Sequence, residues 1–165
     1  MKVHIIGLAG SGKTTLAQWV SVRFCVPAYD LDWVVYEQEA GDRPESEIVA
    51  RVDEILRLEG WTTEGAYQSP WLTPLLHDSE AIAWLDLPLQ TCALRIVKRH
   101  ALAELAGKNQ HRGWRRLARF LNYTRRTAHQ QKTDTLALLT PYKAKVRRCR
   151  SSKDVEFFKA GIRPL

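Results

Sequence analysis

Gly7-Leu8-Ala9-Gly10-Ser11-Gly12-Lys13-Thr14 satisfies G-x-x-x-x-G-K-[S/T] at every position, and its flanks give it the context its chemistry needs. Before it, Val3-His4-Ile5-Ile6 is a short apolar run that reads as a strand. After it, apolar residues recur at helical spacing up to Phe24, and Pro27 stops the pattern. Strand, glycine-rich turn and helix surround one point with backbone N–H groups and the positive end of a helix, which is where a polyphosphate binds. Gly7, Ala9, Gly10, Ser11 and Gly12 are then the cradle, Lys13 bridges the β and γ phosphates, and Thr14 binds Mg2+; Thr15 is a candidate contact to the α-phosphate. At average composition the pattern arises by chance in well under roughly 1 in 100 chains of this size. An incidental glycine turn is the poorer reading.

Outward from the loop, strand and helix patterns alternate. Ala28-Tyr29-Asp30-Leu31-Asp32 reads as a second strand whose period of two puts both carboxylates on one face. Ile48 to Leu58 has the spacing of an amphipathic helix that Gly60 terminates; Trp61 to Gly65 is the third strand, and Ala81 to Asp86 a fourth, buried on both faces. Pro88 suits the first turn of a helix running to Gly107. Residues 107–113 form a polar, glycine-bearing loop, Trp114 to Leu139 resume helical spacing, Lys145 to Cys149 make a last strand, and a final helix over 151–160 is capped by Ser151 or Ser152. No repeat or linker interrupts residues 1–165, so the expectation is one α/β domain with a mostly parallel sheet.

Composition agrees. With 165 residues, 18.9 kDa, 45% hydrophobic and 26% charged residues, the chain fits a single globular domain rather than a disordered tail or a disulfide scaffold. No apolar run approaches a membrane span, and the one after Lys2 is closed by Gly10 to Lys13 before it resembles a secretion signal. Three scattered cysteines (Cys25, Cys92, Cys149) without C-x-x-C spacing suggest reduced thiols and a cytoplasmic setting, and they argue against structural zinc. Net charge is +7, but residues 1–90 carry 6 Lys+Arg against 14 Asp+Glu, and residues 91–165 carry 19 against 4. The basic half interleaves Arg with Leu, Trp, Phe and Tyr, so it reads as folded.

The sequence resembles the small P-loop kinases of the adenylate and shikimate kinase type, and among them it is most similar to the adenylate-kinase-like "DNA topology modulation" (FlaR-type) proteins. The matching stretches are Gly7 to Thr14, Asp30-Leu31-Asp32, Trp61 to Tyr67, Trp84 to Pro88, Arg95 with Arg99, and Phe120 to Arg126. The resemblance implies a three-layer α/β/α P-loop NTPase fold with a central five-stranded parallel sheet of order 2-3-1-4-5. It also implies a small acceptor-binding helical insert, over residues 33–60, and an arginine-rich lid, about residues 107–116. ATP and Mg2+ follow as cofactors, with a small-molecule acceptor. Two departures narrow that acceptor: Glu64-Gly65-Ala66-Tyr67 stands where adenylate kinases carry D-G-x-P-R, and no Gly-Gly-Gly run follows the third strand as in shikimate kinases.

Phosphoryl transfer needs charge neutralisation and an oriented nucleophile. Asp30, Asp32, Glu64 and Asp86 are the candidate carboxylates, since each falls at the C-terminal end of an expected parallel strand, where open α/β sheets bind ligands. By resemblance Asp30 holds Mg2+ through water, Asp32 orients or deprotonates the acceptor, and Glu64 stands at the Walker B place; helix capping is the plainer alternative for the two aspartates. Asp86 reads as structural, capping the helix near Pro88. Of the arginines flanking the polar loop, Arg99 and Arg112 are the first choices for the γ-phosphate, with Arg116 and Arg126 behind them. Arg43 reads as a surface-turn residue, with gripping an anionic acceptor its weaker role. Trp33 and Tyr36 could stack on a planar acceptor, whereas Trp19, Trp61 and Trp84 read as core, and no histidine shows ligand spacing. An ATP- and Mg-dependent kinase is the leading expectation. A nucleic-acid-associated ATPase, docking its basic half on phosphodiesters, is the alternative, disfavoured because no recognition motif accompanies it.

Overall fold

The computed structural model describes residues 1–37, 41–106 and 114–163. The chain runs β1 (Lys2–Gly7), α1 (Lys13–Phe24), β2 (Ala28–Asp30), α2 (Leu31–Val35), β3 (Tyr36–Glu37), β4 (Gly41–Asp42), α3 (Glu45–Leu56) and β5 (Trp61–Gly65). It continues through a 3-10 turn (Pro70–Leu72), α4 (Thr73–Asp78), β6 (Ala81–Leu85), α5 (Leu89–Leu105), α6 (Trp114–Leu139), a second 3-10 turn (Thr140–Tyr142), β7 (Val146–Cys149) and α7 (Ser152–Gly161). Five strands form one sheet in the order β2-β5-β1-β6-β7, every neighbouring pair parallel. Counting only these strands the order is 2-3-1-4-5, as the resemblance implies.

Period-two alternation along β1 divides the core between the two faces of the sheet. Ile6 joins Ile82 and Trp84 of β6 beneath α2, α3, α4 and the end of α6, where Leu31, Val52, Leu72, Leu76 and Leu139 are buried. Val3 and Ile5 face the other way, with Ala83 and Leu85, onto Leu16, Ala17 and Val20 of α1 and Phe158 of α7. Each such aliphatic side chain contributes about 1.5–3 kcal/mol on burial, so helices on both faces are held by the same central strands. His4 alternates into the Ile6 face: its Nδ1 lies 2.9 Å from Thr63 Oγ1, and burial drops its pKa to about 3, so the ring is neutral.

Several expectations change at the level of single elements. The second strand ends at Asp30, and Leu31 to Val35 are helical, because the Asp30 side chain accepts the backbone N–H of Asp32 (2.9 Å) and caps a helix there. The two carboxylates are therefore a cap and a first-turn residue, not alternate positions on a strand. α3 ends at Leu56, before Gly60. Asp86 does not cap α5, whose N-cap is Pro88 without a side-chain bond; it pairs with Arg148 and Lys132 instead. α4 and the β3–β4 ribbon carried no recognised pattern. At the other end, the capping box of Ser151 and Asp154 starts α7 as the sequence suggests.

Candidate active site

The loop between β1 and α1 is shaped by its glycines. Gly10 and Gly12 have φ of 76° and 99°, the left-handed region that favours glycine, and a Cβ on Gly10 would come within 2.5 Å of the Cys92 carbonyl oxygen. Gly12 is the N-cap of α1 and makes no side-chain cap bond, so the first-turn amides of the helix are left for an anion. Lys13 Nζ rests on the Leu8 carbonyl at 3.3 Å, folded back over the loop. Gly7 and Ser11 form the base of the cradle; a Cβ on Gly7 would meet the Leu85 carbonyl oxygen at 2.7 Å.

A cavity of about 640 Å³ opens above this loop at the C-terminal edge of the sheet. Ala9, Gly10, Gly12, Lys13, Thr14 and Thr15 line it together with Asp30, Asp32 and Glu64. The Thr14 hydroxyl donates to Glu64 Oε1 at 2.5 Å. Burial raises the pKa of Glu64, opposed by that hydrogen bond and by Lys13; burial likewise raises Asp30, against its backbone hydrogen bond from Asp32. Thr14, Glu64 and Asp30 offer only oxygen donors, as Mg2+ requires. Among the described residues no three His, Cys, Asp or Glu side chains form a metal set by themselves. The hydroxyl of Thr14 and the carboxylates of Glu64 and Asp30 suit a cation whose shell phosphate oxygens and water complete. The donors suit Mg·ATP: a bare helix N-terminus and a lysine for the polyphosphate, a hydroxyl and carboxylates for the metal.

Asp30 thus has both expected characters, helix cap and cavity wall. Asp32 accepts the Tyr67 hydroxyl at 2.7 Å. Burial, that hydrogen bond and the Asp32 charge all push the phenol upward, so Tyr67 remains the donor. Arg99 lines the cavity with Arg95, one turn earlier on α5, whose Nη1 donates to the Ser11 carbonyl at 2.9 Å. Arg116 and Arg126 are exposed on α6 and do not line the cavity; α6 instead presents Phe120, Tyr123, Thr124, Thr127 and Gln131. Arg112 and the 107–113 part of the expected lid lie outside the described residues. Among the described residues of the expected insert only Tyr36 reaches the wall, and Trp33 does not. Arg43 is tied internally, donating to the carbonyls of Trp33 (3.0 Å) and Tyr36 (2.7 Å) and to Glu47 (2.8 Å), which suits the plainer role.

Sequence reasoning gave no role to Tyr67 or to the α6 face, although both fall in or beside stretches that carry the family resemblance. An aromatic two residues beyond the end of β5 was the available signal for the first. Aromatic, hydroxyl and amide residues at 120, 123, 124, 127 and 131 recur at helical spacing, and that was the signal for the second.

The fold has solved counterparts. Shikimate kinase from Aquifex aeolicus superposes with a TM-score of 0.51 at 15% identity, over 97% of this chain and 94% of that one. Shikimate kinase from Bacteroides thetaiotaomicron gives 0.50 at 16% identity, over 95% and 92%, and a gluconokinase from Sinorhizobium meliloti gives 0.48 at 14%, over 74% and 73%. No family model and no curated protein matches the sequence. At these identities the likeness to the shikimate kinases is one of fold: an α/β domain with a central five-stranded parallel sheet and helices on both sides.

Proposed function

We propose that this protein transfers the γ-phosphoryl group of Mg·ATP to a hydroxyl of a small acceptor. The observation that carries the reading is that Asp32 opens onto the same cavity as Lys13, Thr14 and Glu64. A P-loop by itself serves hydrolysis or sensing equally well; a further carboxylate on the same cavity wall, hydrogen-bonded in place by Tyr67, supplies what a hydroxyl nucleophile needs. That the fold's solved counterparts include small-molecule kinases adds support.

Mg·ATP, when bound, supplies the phosphoryl group and a metal that neutralises its charge. Lys13 and the α1 amides hold the phosphate chain, and Thr14 with Glu64, and Asp30 through water, face the metal. Asp32 orients the acceptor hydroxyl and takes its proton as the new O–P bond forms; the bond to the leaving oxygen breaks and its electron pair departs with ADP. Arg95 and Arg99 spread the charge of the transferring group.

ADP release from Mg·ATP, with pools of nucleosides, nucleoside monophosphates and sugar or metabolite alcohols and again with duplex DNA, tests this. Turnover driven by a small-molecule pool is expected, falling at least 100-fold in folded Lys13→Ala and Asp32→Asn proteins. The nucleic-acid reading rests on the exposed arginines at 115, 116, 119, 125 and 126 of α6; turnover raised only by DNA, steeply dependent on salt, would replace the kinase with it. ATP binding without turnover under every condition would leave a nucleotide sensor.

A further inference from the structure

We infer that the acceptor is uncharged and offers a flat or apolar face beside its hydroxyl: a nucleoside or a sugar, rather than the corresponding phosphate ester or acid. This rests on the phosphoryl-transfer reading, and it comes from where the cavity keeps its charges. Among the described residues, its cations are Lys13, Arg95 and Arg99. All three lie at the phosphate loop or on α5: Lys13 on the Leu8 carbonyl, Arg95 on the Ser11 carbonyl, Arg99 one helical turn further. β6, which leads into α5, and β5 with β2 lie on opposite sides of β1, so the acceptor side is the other wall.

That wall carries Asp30, Asp32 and Glu64; Asp30 and Glu64 face the metal in the proposed reaction, which leaves Asp32 as the acid toward the acceptor, and among the described residues no arginine or lysine holds it in an ion pair. Arg43, in the turn after α2, is consumed by the α2 end and Glu47, and Arg51 is paired with Glu47 on the exposed side of α3. A carboxylate or phosphate on the acceptor would therefore approach the Asp32 carboxylate with no cation of that wall, among the described residues, to offset it, in a partly desolvated site where such repulsion is poorly screened.

What the wall offers instead is neutral. Tyr36, Tyr67, Phe120 and Tyr123 present aromatic surface, suited to a base or to the C–H face of a sugar, and Thr127 and Gln131 present a hydroxyl and an amide. The Gln68 amide donates to the Gln131 carbonyl and to Thr135 Oγ1, both at 3.1 Å, which pins this stretch of α6 over the exit of β5, where Tyr67 stands. Tyr67 occupies one oxygen of Asp32 and leaves Oδ2 without a hydrogen bond among the described residues, available to one acceptor hydroxyl.

Equilibrium dialysis with matched pairs tests the inference: thymidine against thymidine 5′-monophosphate, and glucose against glucuronate, each in the presence of saturating Mg·AMP-PNP to occupy the nucleotide site. In at least one pair the neutral member is expected to bind tenfold or more tightly, and Thr127→Arg, which places a cation on the α6 wall, is expected to narrow the ratio. Equal or tighter binding of the charged member in every pair that binds, or no binding by either member of either pair, overturns the inference. ADP release with the same ligands and ATP separates the two readings: tight neutral binding without turnover upholds a neutral-ligand site and sinks the kinase.

Discussion

Glu64 and Asp86 are related by the architecture and opposite in their surroundings. Each stands at the C-terminal end of a parallel strand, one on either side of β1, and each follows an inward-facing run of the same kind. Asp86 Oδ2 receives Arg148 through Nε and Nη2 (2.9 and 2.6 Å) and Lys132 at 3.1 Å, while the Arg148 guanidinium lies 4.3 Å from the centre of the Trp84 ring. Glu64 is 4% exposed and receives one hydroxyl, from Thr14; no arginine or lysine closes on it with an ion pair among the described residues. A neutralised carboxylate holds elements together, here α6 and β7 against β6. A buried carboxylate left short of positive charge is unfavourable to the fold alone and suited to a cation that arrives with substrate. Counter-charge, rather than residue type or position on the strand, separates the acid that ties elements together from the acid left open to the cavity.

The largest expected break in this comparison is catalytic. Glu64→Gln should lower ADP release by roughly 100- to 1,000-fold, the usual loss when one group serving transition-state charge is removed, whereas Asp86→Asn should leave turnover per folded molecule within about threefold; equal losses in both would erase the distinction. Stability should move the other way. Asp86→Asn, by unpairing Arg148 and Lys132, is expected to cost about 1–2 kcal/mol in urea unfolding, discounted because both partners are partly exposed. Glu64→Gln is expected to raise Tm by about 2–4 °C at pH 7, roughly 1 kcal/mol in a chain of this size.

The stabilisation by Glu64→Gln carries a pH signature. Burial raises the Glu64 pKa above its unfolded value, so the fold favours the protonated acid; that contribution is complete below the unfolded pKa and is lost as pH rises through the folded one. The Tm advantage of Glu64→Gln should accordingly shrink on acidification and vanish below the carboxylate range. His4, on the strand between the two acids, has the opposite sign and the smallest expected effect. Its pKa falls from 6.5 to about 3, so the unfolded chain binds a proton that the fold refuses, and stability declines as pH falls across that window. His4→Gln should flatten this limb of a stability–pH profile; an unchanged limb would assign the acid sensitivity to other groups.

Much of this was legible in the chain. The loop from Gly7 to Thr14, the four further strands of the main sheet and the span of α6 follow from local features: glycine spacing, short apolar runs, helical periodicity over 26 residues. Boundaries set by a side chain's choice of partner were not. Asp30 ends β2 because its carboxylate reaches the Asp32 amide, and nothing in an alternating pattern distinguishes that from a strand continuing. Asp86 is structural, as the sequence suggests, but the helix cap expected of it fails for a related reason: its partners, Lys132 and Arg148, stand 46 and 62 residues away.

The sequence by itself determined the glycine-rich loop, the α/β class and the placing of Asp30, Glu64 and Asp86 at or next to strand ends, because each depends on spacing along a few consecutive residues. Only the tertiary structure decided which acid is neutralised, which arginine reaches the loop and which face of α6 covers the cavity. Those outcomes depend on distances between segments remote in the chain, where a carboxylate's role is set by the charges packed around it.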